Sequence, residues 1–336
     1  MVAFTGIGSL PGDDFASAVR MTFEKLPDFP YLPELPARGP WSAMIGRGLG
    51  LPSGLAADHQ GGEWRLADAP GIDQRRARAC WRDDLDQLED NAAGFTGRFK
   101  VAVTGPWTLA ANLGVAHTGR VLADLGARRD LAQSLAESVG ELLFDLRRRL
   151  PGAVLVLQID EPSLPSVAAG AVPTPGGFFR HRAIDLPEIS AALGWVSAAA
   201  RPVTDEVILH SCAPWIGPGK VWPLANLLGE RGAGLSGVSL DVDTLSGDGL
   251  DALGGAADAG AQLYLGVLPT RVAPLSADRL TDRTLRLVER LGNPPASALT
   301  LTPACGLSSW SPAQVLAGFA ALRSTAGRLA DELGQR

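Results

Sequence analysis

The sequence predicts a closed (β/α)8 barrel, a single unit over 336 residues, and three observations point to it. Eight short apolar runs recur along the chain, each leaving a polar or turn residue at its C-terminal end. Most are separated by helix-length segments with apolar residues three and four apart, the alternation expected of parallel β/α architecture. No Gly-rich nucleotide turn follows the first run: Gly6, Gly8 and Gly12 have the wrong spacing and lead through Pro11, which disfavours an open dinucleotide-binding sheet.

The runs cover residues 3–9, 29–34, 99–104, 154–160, 207–212, 238–241, 262–267 and 298–302. Helical periodicity is clearest over 15–26, 121–150, 186–199, 277–291 and 312–333. In such a barrel the C-terminal strand ends and the loops after them form the active site. The Gly- and Pro-rich stretch 37–71 therefore reads as an elaborated loop over the barrel mouth, not as a domain linker.

Composition narrows the function. A net charge of −6 with scattered Arg, Asp and Glu removes the electrostatic case for binding nucleic acid or anionic membrane, so the partner is a small molecule. No apolar run is long enough to cross a bilayer, and residues 1–10 do not read as a secretory signal, so a cytoplasmic protein is expected. Three cysteines in such a chain point to thiol or metal chemistry rather than a disulfide framework. Cys80, in the charged helical stretch 72–93 with no His or Cys neighbour, reads as an ordinary helix residue.

The other two cysteines carry the chemistry. In Val207-Ile208-Leu209-His210-Ser211-Cys212, alternation of side chains aims His210 and Cys212 the same way from a strand end. Cys305 closes the last run, and in a closed barrel every strand end reaches one mouth. Thiolate and imidazole suit zinc, and three protein ligands leave a position for substrate. A fourth ligand would be a neighbouring carboxylate, Asp241 first and Asp243 second. By spacing alone the same residues also fit a buried cysteine beside a hydrogen-bonded histidine.

A second constellation is Gln158-Ile159-Asp160-Glu161-Pro162, two adjacent acids facing opposite ways at a strand end, one free to point into the mouth while the other anchors the loop. Gly6-Ile7-Gly8-Ser9-Leu10-Pro11 and Leu32-Pro33-Glu34-Leu35-Pro36 end the early runs with a hydroxyl and an acid.

Together these segments resemble the catalytic barrel of cobalamin-independent methionine synthase, in the superfamily that also holds uroporphyrinogen decarboxylase and zinc-dependent thiol alkyltransferases. Ile7 to Pro11 is similar to that family's I-G-S-F-P, and Glu34 with Arg38 to its G-E-P-E-R. Thr104 to Leu109 is similar to T-G-P-V-T-I, and Gln158 to Pro162 to Q-I-D-E-P. His210-Ser211-Cys212 fits H-x-C, Val238 to Asp241 fits I-T-I-E with Asp for Glu, and Pro303 to Leu307 fits P-D-C-G-L. The resemblance spans nearly the whole chain. It implies His210, Cys212, Asp241 and Cys305 as zinc ligands and places Ser9, Glu34 and Asp160 on segments that hold the amino acid part of homocysteine. Ser9, Glu34, Asp160 and Glu161 are the candidate substrate-binding residues.

The resemblance further implies a zinc-dependent transferase that moves a methyl group to the homocysteine thiol, giving methionine. The methyl donor is left open among a folate, a methylcorrinoid protein and a small methylated compound. Two departures bear on it: the family's N-terminal folate-binding half has no counterpart in these residues, and Leu265 to Arg271 contains no histidine where the family places its presumed proton donor. Alternatives are a zinc alkyltransferase using another thiol or electrophile, such as an epoxide, and a non-catalytic thiol- or zinc-binding barrel. A uroporphyrinogen-type decarboxylase has no use for the two cysteines.

Overall fold

The computed structural model describes residues 2–115, 119–272 and 275–334. In chain order the strands are β1 Ala3–Phe4, β2 Ala57–Gln60, β3 Glu63–Leu66, β4 Gly97–Thr104, β5 Leu113–Val115, β6 Gly119–Arg120, β7 Ala153–Asp160, β8 Val207–Ser211, β9 Gly237–Asp241, β10 Gln262–Leu268 and β11 Leu299–Pro303. Seven of them form one all-parallel sheet in the order β1-β11-β10-β9-β8-β7-β4. Helices Phe15–Lys25, Ile72–Asn91, Leu125–Arg149, Leu186–Ala200, Gly247–Asp258, Ala277–Arg290 and Pro312–Gly334 cover its outside. Several start at residues that accept a backbone N–H three positions on: Asp14, Asp124, Asp185 and Ser246.

The eighth position in the ring is residues 29–34, where the sequence predicts a strand and the structure has none. Pro30 and Pro33 lack the N–H groups a ladder needs, so pairing is reduced to two isolated parallel bridges, Tyr31 with Lys100 and Ser9 with Glu34. The Lys100 N–H donates to Pro30 O (3.1 Å) and the Leu32 N–H to Lys100 O (2.9 Å), joining the segment to β4. On the other side the Glu34 N–H donates to Gly8 O (3.1 Å) and the Leu10 N–H to Glu34 O (2.9 Å). This closes the (β/α)8 barrel. The predicted first strand, 3–9, is likewise cut to Ala3–Phe4 plus the bridge at Ser9. Gly6 has no side chain because the Tyr31 ring occupies that space; a Cβ there would lie 2.3 Å from it.

Alternation along the strands separates two cores. Leu155, Leu157, Ile159, Val207 and Leu209 belong to the large apolar layer that includes the helices, while Phe29, Val156, Ile208 and Tyr264 form a small separate cluster. Above that plug the same strand faces carry Gln158, Asp160 and His210, all buried.

Residues 37–71 hold more order than a loop: helix Met44–Leu49 and the β2–β3 hairpin, which extends through β5 and β6 into a second, four-stranded sheet. The Thr104 hydroxyl at the end of β4 donates to Met44 O (2.8 Å), and Gln74 bonds Leu49 O, Leu55 O and the Ala57 N–H, fixing this region to the barrel.

Strands β9, β10 and β11 crowd together at Gly266, where a Cβ would lie 2.7 Å from Leu240 O, 2.9 Å from Ala304 Cα and 3.1 Å from Asp241 Cα. Every one of those contacts is backbone, so no side chain can swing aside. Gly266→Ala is expected to lower stability by ~1–3 kcal/mol, read as a lower urea midpoint at unchanged slope.

Candidate metal centre

His210, the penultimate residue of β8, and Cys212, just beyond its end, share a face as alternation requires; Cys305 follows the end of β11. Their ligand atoms all lie within 4.8 Å of one another. The sulfurs of Cys212 and Cys305 are 2.9 Å apart and unlinked. Nδ1 of His210 faces Ser239 O (3.1 Å) and Ser239 Oγ (3.0 Å). A proton on Nδ1 donated to the carbonyl leaves the Nε2 lone pair for a metal, the arrangement that orients ligating histidines.

The electrostatics match a cation site. The hydrogen bond shared by the two sulfurs, with His210 nearby, draws the Cys305 thiol down to about 4 against the effect of burial. The same hydrogen bond, with burial and the charges of Cys305 and Asp241, pushes the Cys212 thiol up. Two sulfurs competing for one proton are relieved when a metal takes both as thiolates. Two thiols and an imidazole converging, both cysteines half-buried, fit zinc with room for a further ligand.

Asp241 stands at the end of β9, near enough to act on Cys212, but its carboxylate lies outside the three-residue cluster: Oδ1 accepts the Asp243 N–H (3.0 Å) and caps the turn Val242–Thr244. Asp243 pairs with Arg283. Cys80 lies on helix Ile72–Asn91 beside Ser42 and Asp84, away from the cluster.

Asp160 and Glu34 are both buried, and each is raised first by burial. Glu34 reaches about 7, with Arg47 pulling it down and Asp160 pushing it up. Asp160 in turn feels His210 and Cys305, which links both carboxylates electrostatically to the His210, Cys212, Cys305 cluster. Ser9 adjoins Glu34; its O accepts the Leu307 N–H (2.8 Å), and its hydroxyl lies 2.0 Å from where a Cβ on Gly306 would stand. Glu161 is not part of this group. Its carboxylate accepts the Trp107 N–H (2.9 Å), the Thr108 N–H (2.7 Å) and the Thr108 hydroxyl (2.6 Å), holding the start of helix Pro106–Asn112. Gly105 permits this, since a Cβ there would lie 2.3 Å from Glu161 Oε1. Burial raises Glu161 to about 7 while those donors pull the other way.

Two buried cations were not singled out from the sequence. Arg47 packs 3.6 Å over the Trp81 ring, bonds Asp84 (2.8 Å) and sets its Nε 3.8 Å from Glu34; Arg38 also holds Asp84. Lys100, fully buried in β4, donates to Ile7 O (2.7 Å) and to Gln158 Oε1. A lysine inside the apolar run 99–104, in a chain with only three, was the available signal.

No family model matches the sequence, and no curated protein matches it. The fold is similar to that of a B12-independent methionine synthase from Shewanella sp. W3-18-1 in complex with selenomethionine, at 13% identity, with 100% of both chains covered and a TM-score of 0.64. An endo-1,4-β-mannanase from Rhizomucor miehei aligns at 11% identity over 100% of this chain and 95% of its own, with a TM-score of 0.47. At these identities the likeness to the synthase concerns the fold, and the mannanase adds nothing to it. Among the described residues no helix is long and apolar enough to cross a membrane.

Burial lowers Lys100 from 10.5 to about 7, so the unfolded chain holds this proton more tightly than the folded one. The stability it contributes is complete above 10.5 and is lost as pH falls toward 7. Glu34 and Glu161 run the other way, with stability complete below 4.5 and lost as pH rises to about 7. Urea unfolding across pH is expected to show a rise in stability above pH 7 that Lys100→Met abolishes, while the fall between 4.5 and about 7 persists.

Proposed function

We propose that this protein is a zinc-dependent methyltransferase that acts on the thiol of homocysteine and yields methionine without cobalamin. The observation that carries the reading is the His210, Cys212, Cys305 cluster together with two buried carboxylates, Asp160, which feels His210 and Cys305, and Glu34, which Asp160 raises. A site that pairs soft metal ligands with receptors for a cation fits a small molecule bearing both a thiol and an ammonium group. The likeness of fold to a solved methionine synthase of matching length supports the same reading.

Zinc held by His210, Cys212 and Cys305 would supply the Lewis acidity that keeps a substrate sulfur deprotonated at neutral pH. The chain's own residues do the rest. The Ser239 carbonyl fixes the tautomer of His210. Glu34 and Asp160 take the substrate ammonium, which relieves their repulsion and holds both ionised. The backbone of Gly8 and Ser9, standing against Glu34, meets the substrate carboxylate. The buried floor of Lys100, Gln158 and Tyr31 excludes water and strengthens these contacts. With no histidine in 265–271, the proton for the departing donor comes from solvent, from another side chain, or is not required. Residues 37–71, anchored at Thr104, would cover the mouth.

Purified under reducing conditions, the protein is expected to carry zinc, and Cys305→Ser to lose both the metal and methionine formation. Assay with homocysteine and, in turn, a methylfolate, a methylated corrinoid protein and a small methylated compound identifies the donor. Zinc-free wild-type protein overturns the proposal. Zinc with homocysteine binding but no methionine from any donor favours a binding protein, and turnover with a different thiol or an epoxide favours a sister alkyltransferase. Asp241→Ala is expected to weaken zinc binding ~10-fold if that carboxylate supports the site.

A further inference from the structure

Lys100 is buried without a directly bonded carboxylate. Its ammonium donates to two neutral oxygens, Ile7 O at 2.7 Å and Gln158 Oε1. Desolvating a lysine for neutral acceptors is costly, and an apolar side chain would fill this interior position at lower cost. The contacts show what the lysine does instead. An ammonium can only donate, so the Gln158 atom facing it is the oxygen, and the Gln158 Nε2 faces the other way. There it donates to Ile7 O (3.0 Å) and to Asp160 Oδ1 (2.7 Å).

Two chains of hydrogen bonds thus leave one ammonium. One runs through Gln158 to Asp160, occupying Oδ1 and leaving Oδ2 for a ligand. The other holds Ile7 O, the entry to the Ile7-Gly8-Ser9 turn, whose Gly8 O accepts the Glu34 N–H at 3.1 Å. Both arms converge on the pocket beside the metal cluster.

We infer that Lys100, acting through Gln158 and the Ile7 carbonyl, is a positioning residue that sets the spacing between the ammonium receptor at Asp160 and the carboxylate-binding backbone at Gly8 and Ser9, and so selects α-amino acid thiols over plain thiols. This rests on the amino acid reading of the substrate given above. Without the lysine, the Gln158 oxygen loses its buried donor and the Ile7 turn loses an anchor, so both arms are free to shift. Neither arm contains His210, Cys212 or Cys305.

The test is calorimetry on zinc-loaded protein with two probes, homocysteine and 1-propanethiol, for wild type, Lys100→Met and Gln158→Leu. Wild type is expected to prefer homocysteine. Both variants are expected to lose ~10-fold to ~100-fold in homocysteine affinity, with zinc content and propanethiol affinity unchanged. Gln158→Leu breaks the same chain one link further on and serves where Lys100→Met fails to fold. Retained preference for homocysteine in the variants overturns the inference, as does an equal loss for both thiols, which would mark a general structural role. A wild-type protein without preference removes the amino acid reading itself, and this inference with it.

Discussion

Everything the site does depends on closing the ring through residues 29–34. A parallel sheet of seven strands would leave β1 and β4 as open edges, with Glu34 and Ser9 free to drift from Asp160 and His210. The prolyl segment removes both edges and brings strand ends far apart in sequence to one mouth. The prolines that weaken the pairing also stiffen it, since Pro33 fixes the approach to Glu34 and Pro36 starts the next turn.

Inside that ring, charge is arranged in layers. Phe29, Val156, Ile208 and Tyr264 make a buried apolar floor; Lys100 and Gln158 follow along β4 and β7, and Asp160 and the His210, Cys212, Cys305 group stand at or just beyond strand ends. Desolvation dominates the shifts of both carboxylates; Arg47, 3.8 Å away, and Lys100 offset it at Glu34, and His210, Gln158 and Lys100 offset it at Asp160. Such a pocket favours a ligand that arrives with its own positive charge.

The barrel and the three clustered ligands were legible because both rest on short periodic patterns. Alternation in Val207 to Cys212 aims His210 and Cys212 together, and strand ends in a barrel converge whatever their separation in sequence. Residues 29–34 were read as a strand because their apolar character outweighed two prolines whose missing donors decided the outcome. Asp160 and Glu161 were read as facing opposite ways, one into the mouth and one anchoring the loop, but both were kept as substrate-binding candidates because alternation does not say which acid takes which role; the contacts with Trp107 and Thr108 give Glu161 the anchoring one. Asp241 was placed by its strand but not by its turn, because the Asp243 N–H competes for its oxygen. Lys100 acts through partners 58 and 93 residues away and Arg47 through Asp84, 37 residues away, and Glu34, contacts that no local pattern encodes.

The seam has a consequence for motion. Strands β4 and β7 are joined along eight consecutive residue pairs, whereas residues 29–34 hold each neighbour by one bridge. Local opening of a barrel starts where the fewest hydrogen bonds must break. The amides of Leu32 and Glu34 should then exchange with solvent sooner than those of β7, and opening there would carry Glu34 away from Asp160. A ligand gripping both acids would act as a clasp on the weakest join, tying occupancy of the pocket to the rigidity of the whole ring.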